Sequence, residues 1–324
     1  MKKILSLVSI LFSLQNYSFS QNQNLINSYE TQLKNHSAKK IELQIKSPSL
    51  YDTTAAKILN SLSVEYRGNN PDKAMYYANQ SLALSEQIGY KKGMVNAYSS
   101  LGIINTIRGD YLPALDFNKK ALKMGLEIRD KRGIAISYNS IGVIYYNQGN
   151  YPEALKNYLA ALKIKEEIGD KQGMANSYGN IGNIYSSQDN YPEALKSYFS
   201  CLKISEETGN KYSIANCYAN IGGTYDDMGN YTEALKNYFV ALKIQEEISD
   251  RIGIAESYSY IGDNYFKQGN YPEALKNQFS ALKIQEEIGD KNSISFSYNC
   301  LGMVYSKLKK YTEAKKYLND GLFL

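Results

Sequence analysis

His36 is the only histidine among 324 residues, and it stands in a polar stretch ahead of every patterned segment. One histidine cannot build a multi-histidine zinc site, and it leaves no imidazole to serve as a base inside a pocket. Cys201, Cys217 and Cys300 are odd in number and follow no metal-ligand spacing. No phosphate-binding glycine loop, Gly-x-Ser-x-Gly elbow or paired-cysteine motif occurs. Asp226, Asp227 and Asp263 could form a small acidic patch, which reads as hydrated surface. These residue types predict no catalytic, cofactor or metal site. The chemistry left to the chain is recognition.

The elements that must position any recognition surface are repeated. Asn150-Tyr151-Pro152-Glu153-Ala154-Leu155-Lys156 recurs from Asn190 and Asn270, with Thr for Pro from Asn230, and more loosely from Asp110 and Lys310. Its alanine falls at Ala74, Ala114, Ala154, Ala194, Ala234, Ala274 and Ala314, each 40 residues after the last. A period of that size marks a solenoid, in which each unit buries its surface only against its neighbours.

Each unit reads as two helices. The stripe Met174, Tyr178, Ile181, Ile184, Tyr185 has helical spacing, with Asp170 (and Asp130, Asp250 and Asp290 in other copies) as its N-cap. Gly149, Gly229 and Gly269 suit the left-handed residue that ends such a helix. Asn150 then caps a second helix, with Glu153 at capping-box spacing and Pro152 in the first turn, where a missing N–H costs nothing. Its stripe of Ala154, Leu155, Tyr158, Leu159, Ala161, Leu162 and Ile168 is expected to face inward. Gly102, Gly142, Gly182, Gly222, Gly262 and Gly302 sit mid-helix, where glycine costs roughly 1 kcal/mol relative to alanine. Six copies imply close approach of the paired helix, expected at Ala154 and its equivalents. Cys201 replaces the small residue of the Ala121, Ala161, Ala241, Ala281 column and reads as core packing.

The ends differ from the middle. Residues 1–20 read as a secretory signal, with Lys2 and Lys3, the apolar run Ile4 to Leu14, and small residues Ser18 and Ser20 before a cut ahead of Gln21. The mature chain is then expected to be periplasmic or secreted, with no membrane span. Residues 21–51 form a polar leader carrying a weak stripe at Leu25, Tyr29, Leu33 and Ile41. The array covers 52–324, with its last repeat truncated. Formal net charge is +5, or +3 without Lys2 and Lys3, and Lys mixes with Glu rather than gathering on one face, so no nucleic-acid partner is expected.

The columns Tyr138, Ile141, Gly142, Tyr145, Ala154, Tyr158 and Ala161 reproduce the spacing of the tetratricopeptide repeat. Tyr stands for its first Trp, its closing Pro is missing, and the unit exceeds the usual ~34 residues. This longer form resembles the arrays of kinesin light chain and Pins-type scaffolds, and the exported sensor regions of bacterial histidine kinases carrying such repeats. The resemblance implies an all-α, right-handed superhelix of about seven antiparallel helix hairpins, with the first helices lining a concave groove. Carried onto this chain, the groove columns run through Asn96, Ile136, Asn176, Asn216, Glu256 and Phe296; through Ser100, Ser140, Asn180, Asn220, Tyr260 and Cys300; and through Ile103, Val143, Asn183, Gly223, Asp263 and Met303. Tyr146 and Phe266 lie further along. Asn176, Asn180, Asn183, Asn216 and Asn220 resemble the amide ladders with which family members hold an extended peptide, since an amide both donates and accepts. The expectation is a non-catalytic scaffold for a protein or peptide ligand. The alternatives are a sensory input module acting through a separate kinase or regulator and, least supported, an enzyme with a cryptic groove site.

Overall fold

The structure, a computed structural model, describes residues 23–42 and 48–322, with side chains over 23–35 and from 53 onward. The expected export segment at residues 1–20 and the side chain of His36 lie outside the described residues. Every element among the described residues is an α-helix. Helix α1 (Gln23–Glu42) precedes seven hairpins. These are α2 (Pro48–Tyr66) with α3 (Pro71–Gln87), α4 (Lys91–Arg108) with α5 (Tyr111–Glu127), and α6 (Lys131–Asn147) with α7 (Tyr151–Glu167). Then come α8 (Lys171–Ser187) with α9 (Tyr191–Thr208), and α10 (Lys211–Asp227) with α11 (Tyr231–Glu247). The last two are α12 (Arg251–Lys267) with α13 (Tyr271–Ile288), and α14 (Lys291–Lys307) with α15 (Tyr311–Leu322). This is the all-α solenoid of helix hairpins that the repeat implies. The helices divide into two compact units, Met1–Gly173 and Met174–Leu324.

One hairpin shows why the sequence folds this way. Gly149, at φ 72°, ends α6, and the Asn150 N–H donates back to the Tyr145 carbonyl at 2.8 Å. Asn150 Oδ1 then accepts from the Glu153 N–H at 3.4 Å and starts α7. The reciprocal half of the expected capping box does not form. The Asn150 N–H is already satisfied by Tyr145, and the Glu153 carboxylate pairs with Lys156 at 3.3 Å instead. Asp170, Asp250 and Asp290 cap the N–H groups of Gly173, Gly253 and Ser293 as expected. Asp130 makes no cap, and its carboxylate takes Lys92 Nζ at 2.7 Å.

Between the helices, Ile141, Ile144, Ala154, Tyr158, Ala161 and Leu162 are buried. Full burial of a side chain the size of Ile144 contributes roughly 1.5–3 kcal/mol. Two expected members of the inward stripe are not there: Leu159 is 49% exposed, and Ile168 is also exposed. Leu159 directly follows the buried Tyr158, so helical rotation carries it off the stripe. The glycine column does meet the paired helix, but mainly through Tyr158 and its equivalents rather than Ala154. A Cβ on Gly142 would lie 2.7 Å from the Tyr158 ring, and one on Gly182 2.5 Å from Tyr198. At Gly222 and Gly302 the backbone of the Ala154 column also intrudes, through the Ala234 and Ala314 carbonyls.

In the first unit, α1 is a packed helix. Ile26 is buried with Ile58, Leu62, Tyr66, Leu101 and Ile104, and Tyr29 and Leu33 pack against them. In the second unit, Cys201 and Cys217 lie in one core with Ala194, Tyr198 and Ile221. All three cysteines are buried and free, as core packing of Cys201 predicts. No helix among the described residues is long and apolar enough to cross a membrane.

Candidate functional site

Residues spaced by three or four on a helix share a face. That spacing groups Asn176, Asn180 and Asn183 on α8, Asn216 and Asn220 on α10, and Glu256, Tyr260, Asp263 and Lys267 on α12, all in the second unit. Helices α10 and α12 also touch each other directly. Asn176 is exposed, and the other four asparagines are half-buried. Two of them are already engaged. The Asn183 carbonyl oxygen accepts from Tyr198 Oη at 2.7 Å, and Asn216 bonds the phenol of Tyr212. The Asn180 and Asn220 side chains make no hydrogen bond among the described residues. Tyr260 stacks on Tyr238 at 5.5 Å between ring centres, and Phe266 tilts against Tyr271 at 5.9 Å. Both rings stay partly open to solvent.

The acidic residues of this face are not the hydrated patch the sequence suggests. The Asp226 side chain is only 8% exposed, and its oxygens are held by Lys267 Nζ and by Asn264 Nδ2, the latter at 2.6 Å. Lys267 also pairs with Asp263 at 2.8 Å. Burial alone would lower the Lys267 ammonium, but Asp263 and Asp226 outweigh it and hold it above its usual range. Only Asp227 of the trio is exposed. Sequence reading missed this because the cation arrives from a helix 40 residues on, and Lys267 has no lysine in the preceding copies of its column.

Glu256 is the second residue whose importance the sequence understates. It occupies the column of Asn176 and Asn216, is half-buried, and makes no hydrogen bond or ion pair among the described residues. Burial, and then the carboxylates of Asp250 and Asp290, push it up to about 8. Tyr212 is pushed up to about 12, chiefly by burial, with Asp250 and Glu256 adding to the effect. The replacement of Asn by Glu256 in its column was the available signal.

The first unit places its groove residues differently. Asn96 is half-buried on α4. Tyr146 is buried, its ring tilted against Tyr151 at 5.5 Å. Ser100 and Ser140, which precede Asn180 and Asn220 in their column, are also buried, and Ser100 Oγ donates to Asn60 Oδ1 at 3.0 Å. Lys165, on α7, is buried with Nζ 3.3 Å from Asn139 Oδ1, and burial, partly opposed by Asp170, lowers it to about 8.

No group of three potential metal ligands occurs among the described residues. Burial pushes Cys300, the thiol in the groove column, up to about 12, so it keeps its proton and is a poor nucleophile. The face presents amides, carboxyls and rings that are partly open to solvent.

The tetratricopeptide repeat profile matches residues 133–207, 173–247 and 253–322. A comparison with curated proteins gives no match. Among solved structures, the apo form of RapI is similar with a TM-score of 0.65 at 13% identity, over 82% of this chain and 96% of that one. A Rap protein complexed with competence and sporulation factor gives 0.62 at 14% identity, over 98% and 96%. A signal-transduction ATPase with numerous domains and a tetratricopeptide repeat sensor, from Pyrococcus horikoshii, gives 0.65 at 18% identity, over 99% of this chain and 52% of that one. At these identities the likeness establishes the fold.

Proposed function

Because the chain belongs to the tetratricopeptide repeat family, we propose that it is a non-catalytic scaffold binding a protein or peptide ligand on the first-helix face of its second unit. One observation carries this reading. Asn180 and Asn220 are equivalent positions on successive first helices, half-buried, with no internal partner. A half-buried side-chain amide with no partner inside the protein keeps its donors and acceptor available to a peptide backbone. Residues with this geometry, one hairpin apart, hold an extended chain at two points. A Rap protein of the same fold forms a complex with competence and sporulation factor, which supports a ligand-binding role for this architecture.

The scaffold acts outside the cytoplasm, on the reading of Lys2, Lys3, the apolar run to Leu14 and the small residues Ser18 and Ser20. N-terminal sequencing of the protein recovered from the periplasm or medium should begin at Gln21. A chain retaining Met1 in the cytoplasm refutes export. A second reading is a sensory input module acting through a separate kinase or regulator. It draws on the likeness, along 99% of this chain, to a signalling ATPase that carries a repeat sensor.

The ligand site is tested by capture. The mature protein is immobilised, exposed to periplasmic extract, and its bound partner identified by mass spectrometry. Asn180→Ala with Asn220→Ala should then weaken that partner at least about tenfold, two lost hydrogen bonds at roughly 1 kcal/mol each. Unchanged affinity in a folded double variant rejects the site.

A further inference from the structure

Glu256 is a half-buried carboxyl that lacks a counter-ion. Lys211 and Arg251, the cations that open α10 and α12, are each held by Glu247 and Glu287 at the far ends of their own hairpins. The ionisable groups acting on Glu256 are Asp250 and Tyr260 on its own helix, Tyr212 from α10 and Asp290 from α14. None is a cation. Asp263, three residues beyond Tyr260, is already neutralised by Lys267. The face thus has two carboxyls beside one ring, one compensated and one open.

The ring between them is fixed. Tyr260 lies one helical turn after Glu256, on the same face, and its stacking on Tyr238 holds its plane. A carboxylate beside phenol rings suits a planar cation, which can take the carboxylate oxygens with two N–H groups while its face lies over an aromatic ring. An ammonium offers the charge without the plane.

From this arrangement we propose that Glu256, Tyr260 and Tyr212 form a pocket for the guanidinium of an arginine side chain in a bound extended peptide. The peptide part of this inference rests on the groove reading above. Asn216 precedes Glu256 in its column, and Asn220 precedes Tyr260. The amides of Asn180 and Asn220 hold the ligand backbone, and the hairpin after Asn220 reads its side chain.

The pocket binds its guest in the ionised form of Glu256, which gives it a pH dependence. With Glu256 near 8, about a tenth is ionised at pH 7 and about nine tenths at pH 9, so affinity should rise about tenfold across that interval. The guanidinium keeps its charge throughout.

The test uses the mature chain and N-acetyl-arginine amide, with the uncharged citrulline analogue as control. The Glu256 carboxyl is followed by carbon NMR and the affinity by calorimetry at pH 7 and pH 9. Saturable binding of the arginine amide, about tenfold tighter at pH 9 and accompanied by a fall in the Glu256 titration midpoint, supports the pocket. Absence of binding, equal binding of the citrulline analogue, or affinity independent of pH overturns it. E256Q, nearly identical in shape, should abolish both the binding and its pH dependence, and retention of either also overturns the proposal. Placing the same arginine in an extended heptapeptide should tighten binding further, and that gain alone should vanish with Asn180→Ala and Asn220→Ala. If the amide binds but the heptapeptide gains nothing, the groove reading fails and the cation pocket stands.

Discussion

Two columns differ between the units at particular positions, although Phe266 packs on Tyr271 as Tyr146 does on Tyr151 and Cys300 is buried like Ser100 and Ser140. At one position the first unit has Thr106 and Tyr146, both buried; Thr106 Oγ1 donates to its own helix at 2.8 Å, and the Tyr146 ring lies against Tyr151. The second unit has Asp226 at that position, buried by an ion pair with Lys267 and a bond from Asn264. One column over, Ser100 and Ser140 are sealed, whereas Asn180, Asn220 and Tyr260 stay half-open. Packing buries these first-unit positions. In the second unit an ion pair fills the buried position, and amides one column over stay half-open.

Removing a charge should separate the units most sharply. Lys267→Met leaves Asp226 buried without its cation and should cost about 3 kcal/mol in chemical denaturation. Thr106→Val, at the Asp226 position in the first unit, should cost less than about 1 kcal/mol, since its hydroxyl bonds only its own helix. Equal costs would erase the contrast.

The next largest effect lies in the pH dependence, where the units should have opposite signs. Glu256 titrates near 8 in the folded chain against about 4.3 unfolded, so the native state holds the extra proton between those values. Stability should fall as pH rises from about 4 to about 8, and Glu256→Gln should flatten that fall by on the order of 2 kcal/mol. Lys165 titrates near 8 against about 10.4 unfolded, so the native state gives up its proton first. Stability should rise from pH 8 to about 10, and Lys165→Met should remove the rise by stabilising the protein below pH 8. Urea midpoints across pH 4 to 10 test both signs.

Glycine substitutions sharpen the comparison at the level of fit. A Cβ on Gly222 meets the Tyr238 ring at 2.8 Å and the Ala234 carbonyl at 3.2 Å, and that backbone cannot yield. Gly222→Ala should cost about 2 kcal/mol. A Cβ on Gly102 meets the Asn118 amide at 2.3 Å, and that amide is buried and bonded to the Ala114 carbonyl at 2.8 Å, so Gly102→Ala should cost about as much. The smallest effect is at the corners. Asn150→Ala should lose about 1 kcal/mol, and Asn190→Ala almost nothing, because Asn190 makes no side-chain cap bond. Thermal midpoints that drop equally for the pair would contradict the capping geometry.

The hairpins, their turns and the buried Ala and Ile columns were legible because each is enforced by local chemistry repeated every 40 residues. Ala154 is matched by a buried alanine in every copy, and Gly149 and Asn150 by similar corner residues in most, so repetition amplifies the signal. The faces were legible only as columns. Whether Asn183 is available depends on Tyr198 fifteen residues away, and whether Asp226 is hydrated depends on Lys267 in the next hairpin. Those contacts vary between copies, and periodicity averages them out. Ile26 was missed for the opposite reason: it belongs to α1, outside the repeat, so no second copy marks it as core.

The side chain that seats under each mid-helix glycine comes from the second helix of the same hairpin: Asn118, Tyr158, Tyr198, Tyr238, Gln278 and Leu318 in turn. The fit is therefore inherited whole whenever a hairpin is copied or lost. Because the Asn-Tyr-Pro-Glu-Ala-Leu-Lys copies are nearly identical, recombination between their coding segments would add or delete a complete hairpin and leave every such contact intact. Natural variants of this gene should accordingly differ in length by multiples of 40 residues, and the breakpoints should fall at the corners, where a register slip changes nothing.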